Sequence, residues 1–196
     1  MIKTIAWLAA LAVTFLPTGF QQQKPTSQTS PLANKEAASS KWIEFVSKEG
    51  AFSALLPSQP EKEDQSSDSP LGRIDIHMFM ATNEGAVYLV GYSDIPALAT
   101  EDKSPVLDEM RKGLLIGTRE GLLKTVDGKL LEETDITFNG HPGKALEVGM
   151  PGDMLLSGKI YLVKQRVYQL LTVRHKTTGS ADSVAKFFAS FKLITQ

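Results

Sequence analysis

Apolar and polar residues alternate along much of the chain between Trp42 and Leu193, and this pattern predicts a domain rich in β-strands. The clearest case runs from Arg73 to Met80, because side chains two residues apart share one face of a strand. One face of this segment is apolar and consists of Ile74, Ile76, Met78 and Met80. The other face consists of Arg73, Asp75 and His77, with Phe79 as the exception. The pattern therefore predicts a strand that is buried on one face.

Similar runs predict further strands at residues 42–46, 51–57, 86–92, 130–138, 144–149, 154–163 and 166–173. The first two are joined by a turn that ends in Gly50, Asn139-Gly140 is a hairpin turn signal, and Lys164-Gln165 joins the last two. Residues 86–92 are apolar on both faces, which predicts an interior strand. Residues 58–71 combine proline with charged side chains and are predicted to form an exposed loop.

Two amphipathic helices are also predicted. The first begins after Ser104, a residue type that caps helices, and Pro105 suits its first turn. It extends to about Leu122 and carries an apolar stripe at Val106, Met110 and Leu114. The final helix begins near Gly179-Ser180 and presents one aromatic face, formed by Val184, Phe187, Phe188 and Phe191. Because most strands follow one another through short turns, we predict an α+β fold, a mostly antiparallel β-sheet flanked by helices.

The first helix contains a repeated G-x-x-x-G spacing, formed by Gly113, Gly117 and Gly121. In an apolar segment of about 20 residues this spacing is typical of paired membrane helices. Charged residues such as Arg111 and Arg119 interrupt the segment here, so we interpret the glycines as positions where the helix closely approaches the sheet.

Residues 1–20 have the pattern of an export signal. Lys3 supplies a positive charge, and an uncharged apolar run from Ile5 to Leu16 follows it. The run is shorter than the roughly 20 residues of a membrane-spanning helix, and the alternative is an uncleaved N-terminal anchor. Residues 21–40 are rich in Gln, Ser, Thr and Pro and are predicted to be a disordered linker. Residues 41–196 then form a single globular domain, and the protein is expected in the periplasm, in a lumen or outside the cell.

Composition excludes several kinds of chemistry. The net charge of −1 provides no basic field for nucleic acid or for an anionic membrane surface. The chain contains no cysteine, so disulfides, thiolate catalysis and cysteine-ligated metals are excluded. The segment from Gly152 to Lys159 has one residue too many for a phosphate-binding P-loop. We therefore predict no cofactor.

No catalytic, cofactor-binding or metal-binding residue is predicted. The histidines His77, His141 and His175 stand alone in sequence, and His77 lies on the polar face of its strand, which favours a solvated residue. Adjacent acids occur at 101–102, 108–109 and 132–133, where neighbouring side chains diverge, although an acid/base pair assembled from distant positions stays open. The tyrosines are interpreted as core residues rather than as the lining of a groove, and they are Tyr88, Tyr92, Tyr161 and Tyr168.

The turns and aromatic positions resemble a known superfamily. They are Trp42, Phe45, Glu49-Gly50, Phe52-Ser53 and Pro57, then Asn139 to Lys144, then Arg166, Tyr168-Gln169-Leu170, and finally Phe187-Phe188 and Ser190-Phe191. Together they are similar to exported bacterial members of the superfamily that includes PsbP, the DcrB periplasmic proteins and the Ran-binding regulator of nuclear import. The resemblance covers about residues 42–193 and implies an α/β/α sandwich. It also implies a non-enzymatic binding or assembly role, although fold alone does not define function.

The expectation is therefore an exported, non-catalytic binding or assembly module whose partner is an envelope or lumenal protein. The alternative is an exported small-ligand binder or an unrecognised hydrolase, with a pocket between the long helix and the sheet. A pocket with convergent polar groups, such as His77 with an acid, would favour the alternative.

Overall fold

A computed structural model describes residues 42–69, 72–99 and 104–194. The predictions for residues 1–20 and 21–40 lie outside the described residues. The strands, in chain order, are β1 (Ile43–Ser47), β2 (Phe52–Leu56), β3 (Glu61–Ser69), β4 (Gly72–Asn83), β5 (Ala86–Asp94), β6 (Lys129–Phe138), β7 (His141–Met150), β8 (Met154–Val163), β9 (Arg166–His175) and β10 (Lys192–Leu193). The helices are a short 3-10 helix at Pro96–Leu98, α1 (Pro105–Thr125) and α2 (Ala181–Ser190).

Seven strands form one antiparallel sheet in the order β3-β4-β5-β9-β8-β7-β6. The remaining strands form a small sheet in the order β1-β2-β10. The hairpin predicted at Asn139-Gly140 is confirmed, and both residues adopt positive φ angles of 50° and 80°. Such angles suit a two-residue turn whose twist matches that of the flanking strands. The predicted α+β class with a mostly antiparallel sheet is confirmed.

The exposed loop predicted at residues 58–71 is wrong, because most of it forms the edge strand β3. This strand pairs with β4 from Glu61 opposite Met80 to Ser69 opposite Gly72. Its sequence, EKEDQSSDS, contains no apolar residue and therefore gives no alternation to detect. Charged side chains are common on an edge strand because they discourage pairing with other chains.

The large sheet is covered on both faces. Helix α1 packs on one face, and the small sheet with α2 packs on the other. The prediction that the strand at 73–80 is buried on one face is confirmed only at its start, where Arg73 and Asp75 are exposed. Further along the strand both faces are buried: Phe79, the exception in the pattern, is 6% exposed and the following Ala81 is 3% exposed, because the small sheet covers them. The interior position predicted for residues 86–92 is confirmed, since β5 lies between β4 and β9.

Helix α1 begins as predicted, because the Ser104 hydroxyl accepts a hydrogen bond from the backbone N–H of Leu107. Its predicted apolar stripe is partly wrong, since Val106 is 72% exposed. The side chains that enter the core belong to Leu107, Leu114, Leu115, Thr118 and Leu122. The close approach inferred from the glycines is also wrong at Gly113 and Gly117, where an added Cβ would meet no atom within 4 Å.

The second face of the sheet has an aromatic core, as the sequence predicted. The four tyrosines are at most 5% exposed, and Phe187 of α2 is fully buried. The hydroxyl of Tyr168 donates a 2.7 Å hydrogen bond to the carbonyl oxygen of Gly50 in the β1–β2 turn. Arg166 holds the same turn through a 2.8 Å bond to the carbonyl oxygen of Glu49. These two contacts join the β1–β2 turn to the large sheet, beside the aromatic core that packs between the two sheets.

Candidate functional site

A cleft opens where α1 ends above the large sheet. Helix α1 packs on β7 and β8, while the short helix at Pro96–Leu98 contacts β4. Between the C-terminal end of α1 and strands β3, β4, β5, β8 and β9, an open volume of about 760 Å³ remains. This size lies within the range of roughly 300–1,000 Å³ that is typical of small-molecule sites.

The floor of the cleft is apolar. Its deepest side chains are nearly inaccessible to solvent and belong to Met78, Leu89, Leu122, Leu156 and Leu171, which are at most 7% exposed. Half-buried side chains line the walls and belong to Met80, Val87, Val126, Met150, Met154 and Val173. The floor therefore belongs to the core under α1, and the half-buried walls provide the accessible apolar surface where the helix stops.

Methionine is concentrated in this cleft. The chain has six methionines, and four of them line the cleft, namely Met78, Met80, Met150 and Met154. Two come from β4, and two flank the β7–β8 turn. The unbranched thioether side chain adopts many shapes at low cost, and surfaces that accept varied apolar ligands use it often.

The rim of the cleft is acidic. Glu61 and Glu63 pair with Met80 and Met78 across the β3–β4 ladder, so their side chains share the face on which the cleft lies. Asp127 follows α1 and lines the opposite wall. Within residues 42–69, 72–99 and 104–194, no salt bridge engages any of these three carboxylates.

The one basic residue of the lining, Lys62, directs its charge elsewhere. It pairs with Phe79, whose ring belongs to the aromatic core on the other face of the sheet. Its ammonium nitrogen lies 3.0 Å from Asp64 and 3.8 Å from Glu49. The hydrogen bond to Asp64 is the main cause that raises the pKa of Lys62. The positive charge is therefore held on the opposite face, and the cleft is left with a negative rim.

The His77–acid pair that would have favoured a catalytic pocket does form, but not in the cleft. Nδ1 of His77 lies 2.7 Å from Oδ1 of Asp64, and this bond, followed by that of Lys62, lowers the pKa of Asp64. The imidazole is not simply solvated, because it packs against the ring of Tyr92 at a tilt of 30°, with ring centroids 4.6 Å apart. The Arg166 guanidinium lies over the same tyrosine at 4.7 Å. This cluster therefore lies on the face of the small sheet, away from the methionines.

The other histidines and acid pairs do not converge. His141 begins β7, and His175 ends β9, where its Nδ1 lies 2.9 Å from the hydroxyl of Thr177. Acids 101–102 lie outside the described residues, and Asp108 and Glu109 pair with different neighbours on the surface of α1. Glu133 turns towards Lys144 and Arg119, whereas Glu132 is exposed. In the described part of the chain, no group of three or more His, Asp or Glu side chains could hold a metal ion.

The cleft was not located from the sequence. The sequence left open a pocket between the long helix and the sheet, with His77 and an acid as its polar groups, but it named no residue of this cleft, and His77 with its acid lies on the other face. The available signal was the two methionine pairs, Met78/Met80 within one predicted strand and Met150/Met154 on either side of a turn. Sequence alone does not show that the sheet places both pairs on one face.

Comparison with known proteins supports the fold. No protein-family model matches the chain, and no curated protein matches it either. The solution structure of cyanobacterial PsbP from Synechocystis sp. PCC 6803 is similar, with a TM-score of 0.53 at 13% sequence identity. The similarity covers 84% of this chain and 99% of that one. The fold is therefore PsbP-like.

Two further structures match with lower scores. One is a protein of unknown function from Pseudomonas aeruginosa described as a putative regulator, with a TM-score of 0.31 and 13% identity, covering 70% of this chain and 85% of that one. The other is from Bacteroides thetaiotaomicron, with a TM-score of 0.34 and 11% identity, covering 78% of this chain and 48% of that one. Among the described residues, no helix is long and apolar enough to cross a membrane.

Proposed function

We propose that this protein is an exported, non-catalytic binding module of the PsbP/DcrB-like superfamily, and that it binds a small, largely apolar ligand in the cleft at the end of α1. The observation that carries the proposal is the apolar opening of about 760 Å³ lined by four of the six methionines. An open apolar volume of this size beside a packed core suits a ligand, because water gains few hydrogen bonds there.

The lining supports binding rather than catalysis. Its hydroxyl group, that of Thr125, donates to the carbonyl oxygen of Gly121 at 2.9 Å and is held along the helix. Its acids lie on the rim, and the His77–Asp64 pair lies on the opposite face of the sheet. A nucleophile with an adjacent base, which covalent catalysis needs, is not among the residues that line the cleft.

Export is proposed from the sequence alone, through Lys3 and the apolar run that follows. N-terminal sequencing of the protein recovered from its native cell tests it. A mature N-terminus beyond residue 16 supports export with cleavage. An intact N-terminus on a cytoplasmic protein contradicts it, and an intact N-terminus in the membrane fraction supports the anchor.

Ligand binding is tested with the neutral fluorophore N-phenyl-1-naphthylamine, whose emission rises in apolar surroundings. The full chain is expected to enhance this emission saturably at one site. Val87→Trp fills the cleft from β5 and should weaken the affinity for the fluorophore at least about tenfold, a loss of roughly 1.4 kcal/mol in binding free energy. Val46→Trp is the matched control, because Val46 lies on β1 outside the cleft and is 51% exposed.

Both variants retain residues 1–41, so any probe bound by the apolar N-terminal run contributes equally to both signals. Equal enhancement by Val87→Trp and Val46→Trp, with both variants folded by circular dichroism, would place the binding elsewhere and overturn the proposal. The absence of a saturable signal in the wild-type chain would have the same consequence.

A further inference from the structure

The acidic rim defines the chemistry of the ligand more closely than the apolar floor does. This inference rests on the proposed function, and it concerns which end of the ligand remains at the mouth of the cleft. A largely apolar ligand that enters a cleft open on one side leaves its polar group at the rim. The charge around the rim therefore selects among ligands with similar apolar parts.

Three carboxylates stand at the mouth, and none is neutralised by a described salt bridge. Glu61 and Glu63 lie on β3, with the amide of Gln65 2.7 Å from Glu63. Asp127 lies across the opening, beyond the last turn of α1. The cations nearest in sequence do not balance them. Lys62 is bound to Asp64 on the other face, and Lys124 and Lys129 are exposed and do not line the cleft.

The end of α1 adds to this negative potential. The cleft wall includes Leu122, Thr125 and Val126, which form the last turn and C-cap of a helix of 21 residues. Unpaired carbonyl groups at a helix C-terminus carry a partial negative charge of about half an elementary charge. Here the backbone N–H groups of residues 126–128 donate to the last carbonyls and Lys124 lies in the last turn, so this contribution is small. The helix end and the carboxylates therefore act in the same direction on a charged group at the mouth.

From this arrangement we infer that the natural ligand is a cationic amphiphile: its apolar part occupies the methionine-lined cleft, and its positive group lies between Glu61, Glu63 and Asp127. An anionic amphiphile of the same length binds more weakly because of repulsion at the rim. A neutral one binds through the apolar floor alone and falls between the two.

The test uses displacement of N-phenyl-1-naphthylamine from the full chain by three ligands that share a ten-carbon chain: decyltrimethylammonium, 1-decanol and decyl sulfate, each below its micelle-forming concentration. Decyltrimethylammonium is expected to bind at least about tenfold more tightly than decyl sulfate, a difference of roughly 1.4 kcal/mol. Because the rim is exposed, raising the salt concentration should reduce this preference.

The triple variant Glu61→Gln, Glu63→Gln, Asp127→Asn should reduce the cation preference to within about threefold, or about 0.65 kcal/mol on the same scale, while binding of 1-decanol is unchanged. The matched control is Glu44→Gln, Asp68→Asn, Glu132→Gln, which makes the same change in net charge at exposed acids outside the cleft. This control should keep the preference of the wild-type chain.

The two levels of the proposal fail in different ways. If the fluorophore binds and Val87→Trp abolishes its binding, but the three ligands displace it equally, the cationic ligand is refuted and the apolar site stands. A preference that the control triple variant abolishes as fully as the rim variant would also refute it, since net charge would then be the cause. Loss of fluorophore binding at the outset refutes the site itself.

Discussion

Replacing Arg166 by methionine should destabilise the domain by about 2 kcal/mol, because this guanidinium joins the two sheets. Its Nε and one terminal nitrogen bind the two carboxylate oxygens of Asp94 at 2.7 and 2.6 Å, and the other terminal nitrogen donates to Glu49. The bond to Asp94 is the main cause that raises the pKa of Arg166 above its ordinary value. Methionine retains an unbranched apolar stem against Tyr92, so the substitution removes mainly the polar contacts.

The magnitude follows from exposure. A hydrogen bond to a charged group contributes about 1.5–3 kcal/mol when well buried, and an exposed ion pair contributes at most about 1 kcal/mol. The side chains of Arg166 and Asp94 are 21% and 43% exposed, which places this pair between the two limits. In Arg166→Met, Asp94 can be hydrated, whereas the carbonyl of Glu49 loses its partner. A loss of about 2 kcal/mol corresponds to a fall in Tm of roughly 4–8 °C for a domain of this size.

Urea denaturation followed by circular dichroism measures the effect, with an unchanged m-value as the sign that only stability has changed. Lys112→Met is the control, because Lys112 and Glu109 are 69% and 74% exposed, and this substitution is expected to leave the unfolding midpoint almost unchanged. If Arg166→Met lowers the free energy of unfolding no more than Lys112→Met does, the contacts of Arg166 do not hold the two sheets together.

Three further predictions concern glycines, tyrosines and Asp64. Gly113→Ala and Gly117→Ala should each stabilise the domain by about 0.4–1 kcal/mol, because an added Cβ meets no atom within 4 Å. Gly143→Ala should destabilise it by about 1–3 kcal/mol, because the added Cβ meets the carbonyl oxygen of Ile160. Thermal unfolding measures the three variants, and destabilisation by both helix variants would restore the close-approach interpretation. Burial raises the pKa of all four tyrosines above 10, so folding stability should be lost as the pH rises beyond that value. Phenolate absorbance should therefore rise together with unfolding. A rise in phenolate absorbance while the protein is still folded at pH 10 would contradict the burial of Tyr88, Tyr92, Tyr161 and Tyr168. The pKa of Asp64 is lowered from its ordinary value of 3.8, so Asp64 contributes to folding stability above pH 3.8, and this stability is lost as the pH falls through the lowered pKa. Asp64→Asn should therefore flatten the acid limb of a profile of stability against pH. An unchanged acid limb would count against the His77–Asp64 bond.

The sequence predicted the parts of the fold that depend on local patterns. The hairpin at Asn139-Gly140, the cap at Ser104 and the aromatic face of the last helix each follow from a few neighbouring residues, and each is present. The strand β3 was missed because its pairing with β4, rather than its own polar sequence, makes it a strand. Phe79 appeared as an exception for a similar reason: the small sheet that covers it comes from distant parts of the chain.

The candidate site depends on tertiary structure to a greater degree. Met78 and Met150 lie far apart in sequence. They line one cleft because β4 and β7 belong to the same sheet, joined through β5, β9 and β8. The end of α1 determines where the apolar floor is uncovered, and no local pattern reports which strands a helix will cover. The acidic rim likewise requires knowing that Lys62 turns to the opposite face.

The most direct test of the cleft is a methyl NMR titration of the full chain labelled at the methionine methyl carbons. The chain has six methionines, and Met110, which packs on the core from α1 outside the cleft, serves as the internal reference. Addition of N-phenyl-1-naphthylamine should shift the methyl signals of Met78, Met80, Met150 and Met154 along one common saturation curve, with Met110 unmoved. Saturable binding that leaves these four signals in place, or that shifts Met110 alone, would contradict a ligand site at the end of α1.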